Sequence, residues 1–489
     1  MTSVKTEIAK GAFWIAIAKY SGLLISLCIT VILARNIEPS AFGSMAIATV
    51  IMAFLDIFTD MGIGPAIVQY KDLTKPQIET LFVLGAGIGL FLSLILFLAS
   101  TPIAKYYNDL NLIHIIRCLC ICLLFNALNI VPNALMLKSK RFRTIALRTL
   151  SFQVLCGSVA VYGAINSWGI YSLIVTPIIT SVGVFIVNFI NYPQKISCHL
   201  DYDVIKRIWN YSLFQFLFSL TNYFSRNFDK LIIGKYFSMS QLGYYEKSYR
   251  MMQLPLQNIT FVISPVLHPI LSSLQNNKQE LGNKNRRLLT LLSQISFPIG
   301  LILYFCAHEV IMIFFGENWT PSIPIFQILA LSLPLQMLLS TSGSFFQAAG
   351  QTNHMFFSGI CNTTVTIIGF LFSAIKFHDI TAMAWAWNIT LGINFITSYV
   401  IMNRITFRYS LRKFFSTFLP QIYNTALTAL IAYHLIRWIP IDNLLISMIY
   451  KLCVVIILTL FFAYLLKQYN AIAIIHTILS KLKRGEKIQ

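Results

Sequence analysis

The chain has 489 residues, of which 57% are hydrophobic and 11% are charged, and its formal net charge is +20. A soluble protein carries roughly a quarter charged residues, so this composition excludes an ordinary soluble domain. The long continuous apolar runs also exclude a transmembrane β-barrel, whose strands alternate polar and apolar residues over about ten positions. The composition therefore predicts an all-α polytopic membrane protein.

Apolar runs near the ~20 residues that cross a bilayer predict about 14 transmembrane helices. The first run follows Lys5 and Lys10. It is too long for a signal-peptide core and has no small-residue cleavage site, so we expect an uncleaved first span. The predicted spans lie at 11–34, 41–64, 78–100, 112–136, 144–165, 168–190, 208–236, 241–272, 288–308, 321–349, 355–375, 380–402, 414–436 and 443–466.

Basic residues alternate from one connecting segment to the next. With the N-terminus placed in the cytoplasm, the cytoplasmic segments hold about 25 Lys and Arg residues and the external segments about five, as the positive-inside rule requires. This alternation predicts that both termini are cytoplasmic. Most of the net positive charge is then explained by the positive-inside pattern and by contacts with anionic lipid headgroups. The net charge is therefore no evidence that nucleic acid is a partner.

A short internal repeat divides the chain. The stretch "RNIEPSAFG" (35–43) aligns with "KYFSMSQLG" (235–243), and both follow the first span of a six-span set. Copies of six spans have the same orientation, so the two lobes are expected to be related by an axis along the membrane normal. We therefore predict two six-helix lobes, 1–195 and 196–405, and two appended helices with a basic tail in 406–489.

Polar residues follow helical spacing in spans 7 and 8, with steps of three and four positions. Such a face cannot contact lipid, so it faces either a hydrated central cavity or another polar helix surface that it holds by hydrogen bonds. A cavity accounts better for faces that carry Arg and Glu. The two stripes are Ser212, Gln215, Ser219, Asn222, Arg226 and Asp229, and Glu246, Arg250, Gln253, Gln257, Thr260 and Ser264.

Together with the neighbouring Lys230 and Lys247, the charged residues of these stripes sum to a net charge of +2. They could pair with one another or snorkel, but a cationic cavity wall suits a phosphate or carboxylate ligand, which Arg binds bidentately. Lys19 in span 1 could line the same cavity, whereas Arg117 and Lys451 are expected to snorkel. The predicted substrate-binding residues are Arg226, Lys230, Arg250, Lys247, Asn222, Gln253, Gln257 and Lys19.

Carboxylates within the spans are candidates for coupling transport to a proton or sodium ion. Asp56 and Asp60 lie one helical turn apart in span 2, and Asp229 and Glu246 belong to the two polar stripes. The sequence has no GxxxxGK[ST] phosphate loop, no HExxH motif and no CxxC pair. We therefore predict no enzyme activity, no cofactor and no metal site.

The sequence resembles the polysaccharide-transport flippases of the MOP superfamily along nearly its whole length. In 31–74 the resemblance rests on Leu33-Ala34-Arg35, Pro39, Phe42-Gly43 and Asp60-Met61-Gly62. In 229–259 it rests on Asp229, Ile232-Ile233-Gly234 and Leu242-Gly243-Tyr244-Tyr245. The stretch "YYEKSYR" departs from the commoner small-residue version, so Glu246, Lys247 and Arg250 are expected to reflect this protein's own substrate.

The resemblance implies two lobes around a central cavity, as in MATE transporters, and alternating access. It also implies movement of undecaprenyl-pyrophosphate-linked oligosaccharides across the bacterial inner membrane. Polymerase and chain-length proteins of the same pathway are the expected partners. The alternatives are a MATE-type exporter, which would need an acidic cavity, and a membrane polymerase or ligase, which would need catalytic groups on a large external loop.

Overall fold

The computed structural model describes residues 4–70, 72–195, 201–272, 275 and 277–466, although some side chains within the helices, including that of Asn222, lie outside the description. Nearly all of this part of the chain is helical and no β-strand occurs in it, so the predicted all-α class is confirmed. The chain divides into two compact units, unit 1 (Met1–Gly243) and unit 2 (Tyr244–Gln489).

Unit 1 is a bundle of long helices joined by short turns. In it α4 packs on α5, α5 on α7, and α1 on α6. A capping box begins α4, where the Thr74 backbone N–H donates to Gln77 Oε1 over 3.2 Å. The helices of unit 1 are α1 (Val4–Asn36), α2 (Pro39–Asp60), α3 (Ile63–Gln69), α4 (Lys75–Tyr107), α5 (Asn111–Lys138), α6 (Phe142–Ile165), α7 (Tyr171–Asn191) and α8 (Tyr202–Tyr236), followed by the start of α9 (Met239–Ser272).

The second predicted span, 41–64, is broken in the structure. Helix α2 ends at Asp60, because Met61 and Gly62 both adopt left-handed backbone angles with φ of 38° and 76°. A Cβ added at Gly62 would lie 2.9 Å from Ser212 Cα on α8, so this turn has both a positive φ and a close neighbour. The chain therefore starts a separate short helix, α3, against the beginning of α8.

Helix α8 packs along α2 within unit 1. The hydroxyl of Tyr223 donates to the backbone oxygen of Val50 over 3.0 Å, and Tyr223 is buried. A Cβ added at Gly234 would lie 2.3 Å from Ile47 Cδ1. These contacts fix which face of α8 is turned toward α2.

Unit 2 mixes long helices with short ones. Its main core joins α10, α13, α14, α16 and α17 through buried aromatic and aliphatic side chains. The elements after α9 are α10 (Lys278–Phe305), α11 (Ala307–Phe314), a 3-10 turn (Glu317–Trp319), α12 (Ser322–Ala330), α13 (Leu333–Leu339), α14 (Ser342–Ala348), α15 (Thr352–Phe377), α16 (Ile380–Val400), a π-helical turn (Ile401–Phe407), α17 (Leu411–Phe415), α18 (Leu419–Trp438) and α19 (Leu444–Leu465).

The tenth predicted span, 321–349, is also broken, into α12, α13 and α14. The segments Ser322–Ala330 and Leu333–Ala348 meet at an angle of 44°. Pro334 stands in the first turn of α13, where its missing N–H interrupts the helical hydrogen bonds that would continue from α12. A Cβ added at Gly300 of α10 would lie 3.2 Å from Pro334, so the bend packs closely on α10.

Eight helices of the described residues are long and apolar enough to cross a membrane, and nine if the bent pair is one span. The chain is therefore a multi-pass membrane protein, while the number of about 14 spans stays a prediction. Helices α8 and α9, which carry the two polar stripes, are not among the eight. The C-terminal helices α18 and α19 pack on each other and on α10 within unit 2.

Candidate functional site

The predicted binding residues of unit 1 lie mainly on α8. Asp229 is 4% exposed, Lys230 is half-buried and Arg226 is exposed. The side chain of Asn222 lies outside the described residues, and Lys19 is exposed on α1. Helix α8 brings Arg226, Asp229 and Lys230 together within about one turn, a rise of roughly 6 Å.

The predicted binding residues of unit 2 lie on α9. Lys247 is 6% exposed, Glu246 is half-buried and Arg250 is exposed. The amide of Gln257 donates to Gln253 Oε1 over 3.3 Å, as four-residue spacing on one helical face allows. Because the two stripes belong to different units, the central cavity expected between them stays a prediction.

Unit 1 also contains an open cavity of about 560 Å³, formed by α2, α3, α5 and α8. Both Asp56 and Asp60, which the sequence predicted as ion-coupling residues, line this cavity, so the structure brings these two carboxylates together. None of the described lining residues is basic. The other polar side chains in the lining belong to Thr59, Gln69, Asn126, Asn129, Asn133 and Tyr211.

The turn after α2 positions Asp60. The backbone N–H of Gly64 donates to Asp60 Oδ1 over 3.1 Å, which satisfies one of the free donors at the start of α3. The left-handed angles at Met61 and Gly62 end α2 and precede α3, so this bond spans the break between the two helices. The acidic-Met-Gly motif is therefore a structural cap as well as part of the cavity wall.

Asp56, one turn before Asp60, is held by α5. The Nδ2 group of Asn126 lies 3.4 Å from both carboxylate oxygens of Asp56. The hydroxyl of Thr59 donates to the backbone oxygen of Asp56 over 2.9 Å and keeps that turn closed. Asn126 thus orients the Asp56 carboxylate within the cavity wall.

A chain of amides extends from the cavity into the bundle. Arg148 on α6 donates to Asn188 Oδ1 on α7, and Asn188 is fully buried. Asn188 Nδ2 in turn donates to Asn129 Oδ1 over 2.7 Å and lies 3.5 Å from Asn133 Oδ1. Three helices are therefore connected by side-chain hydrogen bonds behind the cavity.

Sequence reasoning missed these asparagines. The signal was present, since Asn126, Asn129 and Asn133 follow one another at steps of three and four within the apolar run of α5. That spacing is the same one that identified the stripes of α8 and α9. Asn188 and Arg148 carry no such pattern, and only the packing of α6 and α7 on α5 reveals them.

Basic side chains gather where α3 ends, next to the cavity. Lys138 Nζ donates to the backbone oxygen of Tyr70 over 2.7 Å, and the Arg207 guanidinium lies 5.5 Å from the centroid of the Tyr70 ring. Arg207 also donates to the Asp72 carboxylate, and this hydrogen bond holds the pKa of Asp72 below its ordinary value. These cations fix the loop between α3 and α4 and do not enter the cavity lining.

A buried ion pair in unit 2 corrects one expectation. Lys451 on α19 does not snorkel, because its Nζ donates to Glu309 Oε1 over 2.5 Å. Ser447 donates to the same oxygen over 2.6 Å, and Glu309 is only 3% exposed. Glu309 lies on a different helix, so the pattern of residues along α19 does not identify it as the partner of Lys451. The pair attaches α19 to α11.

The described residues contain no cluster of three or more His, Cys, Asp or Glu side chains that could hold a metal ion.

Unlike Lys451, Arg117 is exposed, and it lies on α5, where its Nε donates to Ser100 Oγ over 3.2 Å. Its guanidinium also lies 5.1 Å from the centroid of the Phe97 ring. The two cations expected to snorkel therefore have different environments.

Comparison with known sequences supports the resemblance. The profile of the family described as "Polysaccharide biosynthesis protein" matches residues 32–324, more than half of the chain. The teichuronic acid biosynthesis protein TuaB of Bacillus subtilis (strain 168) is 24% identical over 447 residues, covering 88% of this chain and 90% of that protein. The lipopolysaccharide biosynthesis protein WzxC of Escherichia coli (strain K12) is 25% identical over 447 residues, covering 88% of each chain.

Solved structures show the same fold. The lipid II flippase MurJ, in an inward closed conformation, matches with a TM-score of 0.75 at 15% identity, covering 94% of this chain and 99% of that chain. An inward-facing multidrug resistance MATE family transporter of the MOP superfamily matches with a TM-score of 0.59 at 12% identity, covering 81% and 98%. The predicted MATE-like helical fold is confirmed by these two likenesses.

Proposed function

Since the chain belongs to the polysaccharide biosynthesis protein family, we propose that it is a flippase for undecaprenyl-pyrophosphate-linked oligosaccharide repeat units. The observation that carries this proposal is its similarity, over 88% of its length, to biosynthesis proteins of teichuronic acid and lipopolysaccharide. The succinoglycan biosynthesis transport protein ExoT of Rhizobium meliloti (strain 1021) is 22% identical over 389 residues and is named for transport. The chain shares its fold with a flippase of lipid II.

Movement of the cargo proceeds by alternating access in this proposal. The two lobes, 1–195 and 196–405, expose a central cavity first to the cytoplasm and then to the opposite side. The pyrophosphate of the cargo contacts cationic residues that belong to the two stripes or lie next to them, and their guanidinium groups bind oxyanions bidentately. These residues are Arg226, Lys230, Lys247 and Arg250.

Energy coupling is assigned to carboxylates of the same stripes. Asp229 is buried at 4% exposure on α8, and Glu246 is half-buried on α9. Binding or release of a proton or sodium ion at these carboxylates would change the charge of the cavity wall. The affinity of the cavity for an anionic cargo would then rise when the wall becomes more positive and fall when it becomes more negative, as an ion-driven flippase requires.

The protein is placed in the bacterial inner membrane with both termini in the cytoplasm. The alternation of basic residues between connecting segments supports this orientation. Lipid headgroups contact the basic segments, and polymerase and chain-length proteins of the same pathway are the proposed protein partners. No cofactor is required, because flipping transfers no chemical group.

A MATE-type exporter of small molecules is the second candidate. The acidic cavity of unit 1 favours it, since Asp56 and Asp60 line that cavity without a described basic side chain. The fold shared with a MATE transporter is compatible with it. The full-length relatives named for polysaccharide biosynthesis make the flippase the better-supported function.

Deletion of the gene tests the flippase directly. The expected result is accumulation of a complete, unpolymerised, lipid-linked repeat unit on the cytoplasmic leaflet, measured by mass spectrometry of extracted lipids. A plasmid copy of the gene restores the normal pool. An unchanged pool of lipid-linked intermediates in the deletion strain, together with increased sensitivity to small cationic compounds, would instead support the exporter.

A further inference from the structure

We propose that the unit 1 cavity binds an uncharged sugar ring of the lipid-linked cargo, with Asn129, Asn133, Asp56 and Asp60 as its binding residues. This inference rests on the proposed function and assigns one part of the cargo to unit 1. It is an alternative to the prediction that Asp56 and Asp60 couple an ion, and the sodium titration below distinguishes the two.

The first step concerns the direction of the hydrogen bonds behind the cavity. An arginine side chain only donates hydrogen bonds, so Asn188 must present its oxygen to Arg148. The Nδ2 group of Asn188 is then turned toward α5, where it lies 2.7 Å from the Asn129 oxygen and 3.5 Å from the Asn133 oxygen. Asn188 is fully buried, so water does not compete for these bonds.

The second step follows from the geometry of the amide group. Because the side-chain oxygen of Asn129 accepts from Asn188, and that of Asn133 lies 3.5 Å from the same group, the NH₂ donors of both residues remain for the cavity, together with one further lone pair on each oxygen. The carboxylates of Asp56 and Asp60 supply acceptors in the same lining. The cavity therefore presents donors and acceptors together, which is what neighbouring sugar hydroxyls need, since each hydroxyl both donates and accepts.

This arrangement disfavours a bare metal cation. Hard cations are coordinated by oxygen atoms, and here the amide oxygens of Asn129 and Asn133 already lie 2.7 and 3.5 Å from the Asn188 amide donor. The Asn126 amide nitrogen also lies against both oxygens of Asp56. Amide NH₂ groups carry partial positive charge, so a cation at their position would be repelled.

The lining also disfavours an anion. Asp56 and Asp60 are its only charged side chains among the described residues, and like charges at close range repel each other. A uronic acid or a phosphate would therefore be excluded, and the pyrophosphate of the cargo is left to the basic residues elsewhere. An uncharged ring with several hydroxyls remains as the class of ligand that fits.

Size and shape agree with a sugar. A volume of about 560 Å³ lies within the range of roughly 300–1,000 Å³ typical of small-molecule sites and far above the ~30 Å³ of one water. Tyr211 belongs to the lining, and an aromatic ring with a polar tip is a side chain on which the apolar C–H side of a pyranose ring can pack. Its ring is held edge-to-face by Tyr70 at a centroid distance of 6.3 Å.

The experiment measures binding to the full-length protein in lipid nanodiscs by saturation-transfer difference NMR. The probes are methyl glucopyranoside, methyl galactopyranoside and methyl mannopyranoside as uncharged rings, with glucuronate as the anionic comparison. At least one uncharged glycoside is expected to bind, and glucuronate is expected to bind more weakly. Equal binding of all four probes, or of none, overturns the proposal.

Two variants locate the site. Asn129→Asp and Asn133→Asp keep the side-chain size but replace a donor with a charged acceptor, so each should weaken glycoside binding by roughly tenfold. Asn111→Asp changes an exposed residue of the same helix outside the lining and should leave binding unchanged. If the first two variants bind as tightly as the parent, or all three weaken equally, the sugar is bound elsewhere.

A sodium titration separates the sugar site from an ion site. Glycoside binding that is unaffected by replacing sodium with choline supports the sugar, whereas sodium binding that Asn129→Asp strengthens, without any glycoside signal, overturns it. The flippase is judged separately by the lipid pool of the deletion strain. If the lipid pool is unchanged while the glycosides bind, the proposed flippase function is wrong. If the lipid-linked repeat unit accumulates and no glycoside binds, the proposed sugar site is wrong.

Discussion

Gly43 on α2 packs against the first residue of α9, and Gly243 on α9 packs against the first residue of α2. A Cβ added at Gly43 would lie 1.8 Å from the backbone oxygen of Met239, and one added at Gly243 would lie 2.1 Å from that of Pro39. Pro39 and Met239 are the first residues of α2 and α9. The positions are those that the short internal repeat aligns, so each glycine is required at the same place in its own copy.

Substitution of either glycine by alanine should therefore lower stability. The new methyl group meets backbone atoms that cannot rotate away, so the helices must separate, at a cost of about 1–3 kcal/mol as in other overpacked sites. We expect Gly43→Ala and Gly243→Ala to lower the melting temperature of the detergent-solubilised protein. Fluorescence-detected size-exclusion chromatography after heating measures this.

Gly87→Ala is the matched control for the glycine contact. Gly87 lies within α4, and a Cβ added there meets no atom within 4 Å. Alanine in a helix interior is favoured over glycine by roughly 1 kcal/mol, so this variant should be as stable as the parent or slightly more stable. If all three variants melt alike, the close contact has no energetic role.

The cationic stripe residues should be needed for transport. Arg226→Gln and Arg250→Gln remove the charge and most of the bidentate donor set, and we expect each to abolish complementation of the deletion strain without lowering the protein level. Arg117→Gln serves as the control, because Arg117 is an exposed cation hydrogen-bonded to Ser100. Full complementation by both stripe variants would show that Arg226 and Arg250 have only structural roles.

The buried pair of Glu309 and Lys451 should behave as one unit. Lys451→Met alone leaves the Glu309 carboxylate buried at 3% exposure without its cation, a change that typically costs about 3–5 kcal/mol. Adding Glu309→Gln in the same chain removes the unpaired charge. We expect the double variant to recover most of the lost thermal stability.

A double-mutant cycle checks this coupling. The stability of Glu309→Gln, Lys451→Met and the double variant is compared with that of the parent by thermal unfolding. A coupling of more than about 1 kcal/mol is expected, because the two charges share one hydrogen-bonded site with Ser447. Strictly additive losses would mean that each side chain acts alone.

The predicted orientation can be tested by cysteine labelling. In a background without the nine native cysteines, single cysteines are placed at Ser167 and Glu317, which are predicted to be external, and at Lys140 and Gly350, which are predicted to be cytoplasmic. A membrane-impermeant maleimide added to intact spheroplasts should label the first two only. Labelling in the opposite pattern would invert the topology and place both termini outside.

Much of the fold was readable from the sequence because a bilayer imposes simple rules. A segment must be apolar and about 20 residues long to cross it, and every predicted span contains a helix of the structure. The breaks at Met61-Gly62 and near Pro334 were not placed, because hydropathy does not report backbone angles. Those breaks depend on a left-handed turn packed on α8 and on a proline packed on α10.

The candidate site was only partly readable. Helical spacing grouped Asp56 with Asp60 and Gln253 with Gln257, because residues three or four apart share a face. It could not pair residues from different helices. Asn188 with Asn129, and Glu309 with Lys451, lie 59 and 142 positions apart and meet only through helix packing.

The sequence by itself determined the all-helical membrane class, the family resemblance and the polar faces of α8 and α9, since these depend on composition and on local periodicity. The tertiary structure decided which polar groups face one another. Orientation is the clearest example: because arginine only donates, Asn188 presents its oxygen to Arg148 and its Nδ2 group to the oxygens of Asn129 and Asn133, whose NH₂ groups stay available. The direction of a hydrogen bond depends on both of its residues, so the pattern along a single helix does not predict it.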